Sequence, residues 1–247
     1  PVFAFLDIRA GAAHNSAANR HGDETLGAGH PECGSFDLPL HAVKAGSHDS
    51  ERHCPPTQRV GAFTLLPDLV RSLGGDPQAV LSEAGVAAGA LDHPDNHIAY
   101  HSHGRLLAAA ARHTRCAHFG LVCGRAWQLQ PLGLLGEIVR NGETVGDALR
   151  MLAVYHRLNA SGGVVFRVGH EIAADLGYAI YAPEVEGADQ IYLAVLAAGL
   201  NYLHELCEGA GPVESVLLPI APPPCVDEVR RFFRCPVHFD ADRAALR

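Results

Sequence analysis

PLGLLGEIVRNGETVGDALRMLAVYHRL, residues 131–158, is the stretch that best predicts the fold of this chain. Its first apolar residues recur at intervals of three and four and would share one face of a helix: Leu132, Leu135, Ile138 and Val139. Asn141-Gly142 is a typical end for such a helix, because glycine readily adopts a left-handed conformation. Thr144 then predicts an N-cap, with Asp147 in the capping-box position.

A second helix is predicted from Thr144 onward, so the stretch forms two short helices joined at a capped turn. The residues that we expect on its inward face are Val145, Ala148, Leu149, Leu152 and His156.

Beyond Leu158 the hydrophobic pattern alternates, as it does in half-buried strands. Two alternating runs, 164–168 and 172–180, flank Gly169-His170 and predict a hairpin. A helix over about 189–207, a strand at 216–218, a helix over 226–233 and a strand at 237–239 follow. This order is β-β-α-β-α-β after a helical first half. It predicts an α+β domain in which helices pack on a small antiparallel sheet.

On the N-terminal side, helical patterns occur at 65–73, 77–85, 102–115 and 118–128. Residues 1–60 differ, because they are rich in His, Gly, Ser and Pro and have no sustained period. We therefore predict a disordered or non-native leader at 1–60 and one folded domain at 61–247. A His-rich metal-binding tail is the alternative for the leader, but its histidines are irregularly spaced.

Composition limits the possible functions. The chain of 247 residues has a net charge of −8, which argues against DNA binding by this part alone, because DNA-binding domains are usually basic. No apolar run is long enough to span a membrane. Seven cysteines without paired spacing favour a reduced, cytoplasmic location.

Neither a metal site nor a catalytic site is required by the sequence. His93, His97, His101 and His103 form the strongest candidate metal cluster, and His97 and His101 have i,i+4 spacing. They lie in a segment that is typical of a loop leading into a helix, and no HExxH motif is present. Nucleophile-elbow, P-loop and dinucleotide motifs are also missing. We predict no catalytic residues, no metal ligands and no cofactor.

A small-molecule pocket is the remaining possibility. Polar and aromatic residues on otherwise apolar elements are what such a pocket needs, and the candidates are Trp127, Tyr155, His156, Tyr178, Tyr192 and Asn201.

Three segments together resemble the N-terminal effector-binding, or "arabinose-binding", domain of AraC-type transcriptional regulators, in the branch related to ornithine-utilisation regulators. They are residues 118–158, the helix at about 189–206, and VDEVRRFFRCPVHFDADRAAL at 226–246. The last is the most specific, since RRFF, Cys-Pro and an alternating strand are similar to the closing signature of the family. The resemblance covers about residue 63 to the end of the chain.

The resemblance implies a small-molecule sensor that forms a homodimer and contacts DNA only through a C-terminal domain with two helix-turn-helix units. We expect this second domain to be missing, because the chain stops at Arg247. The resemblance also implies a helix-plus-sheet sensor fold rather than a cupin barrel, although nothing in the sequence indicates arabinose as the ligand. The alternatives are a metal- or haem-linked sensor, for which Tyr155-His156-Arg157 does not match a propionate clamp, and a small Cys/His enzyme.

Overall fold

The computed structural model describes residues 55–169, 174–209 and 213–247. Within these ranges the α-helices are α1 (Leu66–Ser72), α2 (Pro77–Glu83), α3 (Tyr100–Thr114), α4 (Phe119–Ala126), α5 (Leu134–Arg140), α6 (Val145–Tyr155), α7 (Ala188–Leu206) and α8 (Val226–Phe233). The strands are β1 (Thr57–Arg59), β2 (His97–Ala99), β3 (Gly163–Gly169), β4 (Ala174–Ile180), β5 (Val216–Leu217), β6 (Val237–His238) and β7 (Ala244–Leu246). Short 3₁₀ turns occupy Gly61–Leu65, Gln130–Leu132 and His156–Leu158.

The predicted α+β class is confirmed. Six helices precede the main sheet in the described part of the chain, and the described strands form two small sheets that do not close into a barrel. Residues 1–54 of the predicted leader lie outside the described residues, and the rest of that segment contains β1.

The helix pair α5–α6 forms as its sequence predicts. Thr144 caps α6: its Oγ1 accepts a hydrogen bond from the backbone N–H of Asp147 at 3.1 Å and donates to the carboxylate of Asp147 at 2.8 Å. The expected left-handed conformation at Gly142 is wrong, because the positive-φ glycines are found elsewhere. Gly142 is needed instead for close packing, since a Cβ atom there would lie 2.7 Å from the backbone nitrogen of Ala148.

The main sheet has the order β3-β4-β7-β5-β6. All its pairs are antiparallel except β5–β6, which is parallel, so the predicted antiparallel sheet departs from the structure at this edge. β7, which the sequence pattern did not predict, lies between β4 and β5 and joins the two halves. Arg243 and Arg247, on either side of β7, form ion pairs with the fully buried carboxylate of Asp175 in β4 at 2.7 and 2.8 Å. These ion pairs hold β7 beside β4.

Close packing of α4 on α7 positions the side chains of both helices. Gly120 and Gly124 on α4 face the backbone carbonyls of Gln190 and Ala194 on α7, with no room for a Cβ atom at either glycine. Glycines four residues apart lie on the same face of a helix, so the two backbones approach along a full turn.

Two apolar clusters form the core. One joins the N-terminal helices to α7 and β4, and the other lies between α7, α8 and strands β5–β7. Among the described helices, none combines the length and hydropathy that a membrane span requires.

Candidate ligand-binding site

A cavity of about 90 Å³ lies where the two apolar clusters meet. Its walls come from β1, α3, α6 and α7, and from strands β3, β4 and β7 of the main sheet. Most of the lining side chains are apolar, with a few polar groups among them. This combination is the usual form of a small-molecule site.

Two buried imidazoles line the cavity, His103 on α3 and His156 in the turn that follows α6, and they are 2% and 8% exposed. Among the described residues, neither ring nitrogen of His103 has a hydrogen-bond partner, and Nε2 of His156 has none either. Burial lowers the pKa of His103 to about 3 and that of His156 to about 4, so both rings are neutral at pH 7. A neutral imidazole has one donor and one acceptor nitrogen, so the two unpartnered nitrogens of His103 include both kinds of group.

An aromatic wall supports the two imidazoles. The hydroxyls of Tyr100 and Tyr178 form a buried hydrogen bond of 2.7 Å. The ring of His103 meets Tyr100 edge-on with centroids 5.5 Å apart, and His156 meets Tyr178 in the same way at 5.5 Å. Burial raises the pKa of both tyrosines, so the wall carries no charge. These edge-on contacts limit the orientation of both imidazoles.

Strand β1 contributes the polar residues Gln58 and Arg59. The amide nitrogen of Gln58 donates to the carbonyl of Arg59 at 2.9 Å. The guanidinium of Arg59 donates to the carboxylate of Asp95 at 2.7 and 3.0 Å and to the carbonyl of Pro131 at 2.7 Å. All three guanidinium nitrogens are therefore already engaged, although the residue lines the cavity.

Trp127, the only tryptophan of the chain, lines the cavity directly after α4 and packs against Phe63 with ring centroids 5.0 Å apart. The side-chain nitrogen of Asn201 on α7 lies 2.9 Å from the carbonyl oxygen of Trp127 and 3.1 Å from that of Gly124. Asn201 therefore satisfies carbonyls at the end of α4 and holds the backbone of Trp127 in position.

The structure brings together three of the six predicted site residues, since Trp127, His156 and Tyr178 all line the cavity. Asn201 contacts this group only through the backbone of Trp127. Tyr192 is half-buried beside both apolar clusters, and Tyr155 is 42% exposed.

Sequence reasoning missed His103 and Gln58 as lining residues. His103 was grouped with the candidate metal cluster, but it precedes Leu106 and Leu107 by three and four residues, which places it on the buried face of α3. This spacing was a usable signal. Gln58 lies in a three-residue strand whose pattern gives no such signal.

The alternative chemistries find little support in the described part of the chain. No group of three or more His, Cys, Asp or Glu there is arranged to hold a metal ion, and His101 contacts the carbonyl of Pro183 at 2.9 Å. A cavity of about 90 Å³ is too small for a haem macrocycle. Burial raises the pKa of every described thiol, which opposes nucleophilic chemistry: Cys116, Cys123, Cys207, Cys225 and Cys235.

A known protein family matches most of this chain. Residues 74–247 match the model of the arabinose-binding domain of AraC transcription regulators, N-terminal. The chain belongs to this family. The match does not resolve the predicted ornithine-utilisation branch. A comparison with curated proteins gives no match.

Some of the residues that line the cavity precede the matched range. Gln58, Arg59 and Phe63 line the cavity from before residue 74, whereas the α7 and sheet walls lie inside the match. Part of the cavity wall is thus formed by residues outside the matched range.

Proposed function

We propose that this chain is the effector-binding part of an AraC-type transcriptional regulator and that its effector is a small molecule that binds in the cavity. The DNA-binding helix-turn-helix part of the regulator would lie outside these 247 residues. Family membership supports this role, together with a location in the cytoplasm and an absence of catalysis.

The observation that carries the proposal is a mainly apolar cavity lined by two buried imidazoles whose nitrogens lack hydrogen-bond partners among the described residues. A buried polar group without a hydrogen bond costs about 1–3 kcal/mol, so such groups call for a specific explanation. A ligand that hydrogen-bonds His103 and His156 would recover this free energy, and binding of the folded state would stabilise it.

The position of the cavity supports a structural connection between a bound ligand and the residues that follow β7. Leu246 of β7 and Gly199 of α7 both line it, and a Cβ atom on Gly199 would lie 3.2 Å from Leu246. A ligand at this point touches β7, so a ligand-dependent shift of β7 would displace the residues that follow it. An effector that prefers one arrangement of this strand would bias whatever follows it.

The net charge of this chain supports the assignment of sensing and DNA binding to different parts of the regulator. With a net charge of −8 this chain would repel phosphates rather than attract them. We therefore assign DNA contact to the helix-turn-helix part and assign sensing, together with homodimer formation, to this one. Tight, salt-sensitive binding of operator-like DNA by this chain alone would contradict this assignment.

The test is a screen of small acids, amines, amino acids, alcohols and aromatics against the purified 247-residue chain. A true effector at a hundred times its Kd adds about 2.7 kcal/mol, which is a rise in Tm of roughly 5–10 °C for a domain of this size. The same compound should change the emission of Trp127, because that side chain lines the cavity.

Variants decide whether the cavity is the binding site. His103→Leu and His156→Leu should weaken effector binding, whereas His204→Leu, on the exposed surface of α7, should not. An effector that stabilises all three variants equally, without changing the emission of Trp127, would bind elsewhere and refute the proposed site.

A further inference from the structure

The dimensions of the cavity limit its ligand, on the premise that the proposed function is right. A cavity of about 90 Å³ is smaller than the roughly 150 Å³ engineered cavity that accepts benzene. A ligand that fits entirely inside this volume is a small ring or a short chain rather than a sugar, a nucleotide or a long acyl chain.

The charges around the cavity limit the ligand further. Among the described residues that line it, Arg59 alone carries a full charge, and its guanidinium is already bound by Asp95 and by the carbonyl of Pro131. No described carboxylate lines the cavity to bind a cation. Burying an unpaired charge is strongly unfavourable, so the cavity selects against anions and cations alike.

The polar atoms of the cavity set the number of hydrogen bonds that a ligand can make. The lining includes the unpartnered imidazoles of His103 and His156. It also includes the polar side chains of Gln58, Asn159 and Tyr202. A ligand with a single hydroxyl, carbonyl or amide group can bond to one of these side chains while the rest of the molecule contacts the apolar walls. A pentose has several hydroxyls, and in a lining that is mainly apolar some of them would stay unpaired.

We propose that the effector of this cavity is a compact, uncharged, mainly apolar molecule with one hydrogen-bonding group, of the class of small cyclic alcohols, ketones and amides. In this chain the family name would then not describe the ligand. Recognition would rest on His103 and His156 for the polar group and on size for the remainder.

The experiment compares matched probes at pH 7.5. Cyclopentanol, cyclopentylamine and butyrate have the same number of non-hydrogen atoms but are neutral, cationic and anionic, and L-arabinose is the polyol. Each is titrated into the full 247-residue chain while the emission of Trp127 and the heat of binding are followed. We expect saturable binding of cyclopentanol, with at least tenfold weaker or undetectable binding of the other three.

Variants test the hydrogen bonds. His103→Leu should weaken cyclopentanol binding by roughly tenfold, the effect of one neutral hydrogen bond, and His103→Gln, which retains a donor and an acceptor, should lose less. If the Tm of His103→Leu shows that it does not fold, His156→Leu takes its place. His204→Leu on the exposed face of α7 is the matched control.

The outcomes separate this inference from the proposed function. If butyrate, cyclopentylamine or L-arabinose binds more tightly than cyclopentanol and His103→Leu weakens it, the cavity is an effector site but its selectivity for neutral molecules is refuted. If no probe changes the emission of Trp127, the inference is also refuted. The proposed function fails separately, if the broad screen finds no compound whose binding depends on His103 or His156.

Discussion

Acid should destabilise this domain well above the pH at which carboxylates titrate, and His103 and His156 should be the cause. In the folded protein burial lowers the pKa of these imidazoles to about 3 and about 4. In the unfolded chain both would titrate near pH 6.5. Between these values the unfolded state binds more protons than the folded state, so the free energy of unfolding falls as the pH falls through 6.5.

The magnitude follows from the same numbers. At pH 5 an unfolded imidazole is protonated about thirty times more often than it is neutral, which favours unfolding by about 2 kcal/mol per histidine. From pH 7.5 to pH 5 the pair should therefore remove about 4 kcal/mol of stability. Carboxylates with lowered pKa values, such as Glu83 and Asp147, contribute only below about pH 4.5 and so lie outside this window.

Urea unfolding at pH 7.5, 6.5, 5.5 and 5.0, followed by the emission of Trp127, measures this dependence. His103→Leu and His156→Leu should each remove about half of it, whatever their stability at pH 7.5, because each deletes one titrating group. His204→Leu, with its side chain exposed, is the control. If both core variants lose as much stability between pH 7.5 and pH 5.0 as the parent, the imidazoles are not the linked groups and the reasoning fails.

Three further substitutions, two of them paired with a control variant, test the scaffold. Gly124→Ala places a Cβ atom against the carbonyl of Ala194 and should lower the free energy of urea unfolding by about 3 kcal/mol or prevent folding. Its control is Gly146→Ala in α6, where a Cβ atom makes ordinary contacts. The control should be neutral or slightly stabilising. Asp175→Asn removes the buried partner of two arginines and should lower Tm by about 5–10 °C, against almost no change for the exposed Asp242→Asn. An equal Tm for these two variants would contradict the clamp on β7. Thr144→Ala should cost about 1 kcal/mol of unfolding free energy through loss of the α6 cap, and no loss would mean that the cap is replaced by water.

Local signals explain why the helices were predictable. In α5–α6 the apolar spacing, the N-cap Thr144 and its partner Asp147 lie within a few residues of one another, so sequence and structure agree. Strand β7 lacks such signals: Ala244–Leu246 is uniformly apolar, and its pairing is decided by β4 and β5, which are far away in the chain. The three-residue strand β1 was not predicted either, because its pairing depends on β2, which is far away in the chain.

The cavity was only partly predictable, because periodicity tells which side chains turn inward but not which of them meet. Trp127, His156 and Tyr178 stood out as polar or aromatic residues on apolar elements and do line the cavity. Asn201 has the same character, yet it serves the end of α4. The sequence analysis considered His103 only as part of a candidate metal cluster, because its neighbours in sequence are histidines. In space it contacts Tyr100 and Phe63.

The central position of β7 has a consequence for the order of folding during synthesis. Until residues 244–246 leave the ribosome, the hairpin β3–β4 and the short pair β5–β6 have no strand between them, and two-stranded pieces of this kind are marginal in water. The wall of the cavity that contains Leu246 is also incomplete until then. A nascent chain therefore completes its sheet and its cavity in one late step, and an effector present at that moment would favour closure of the sheet around itself.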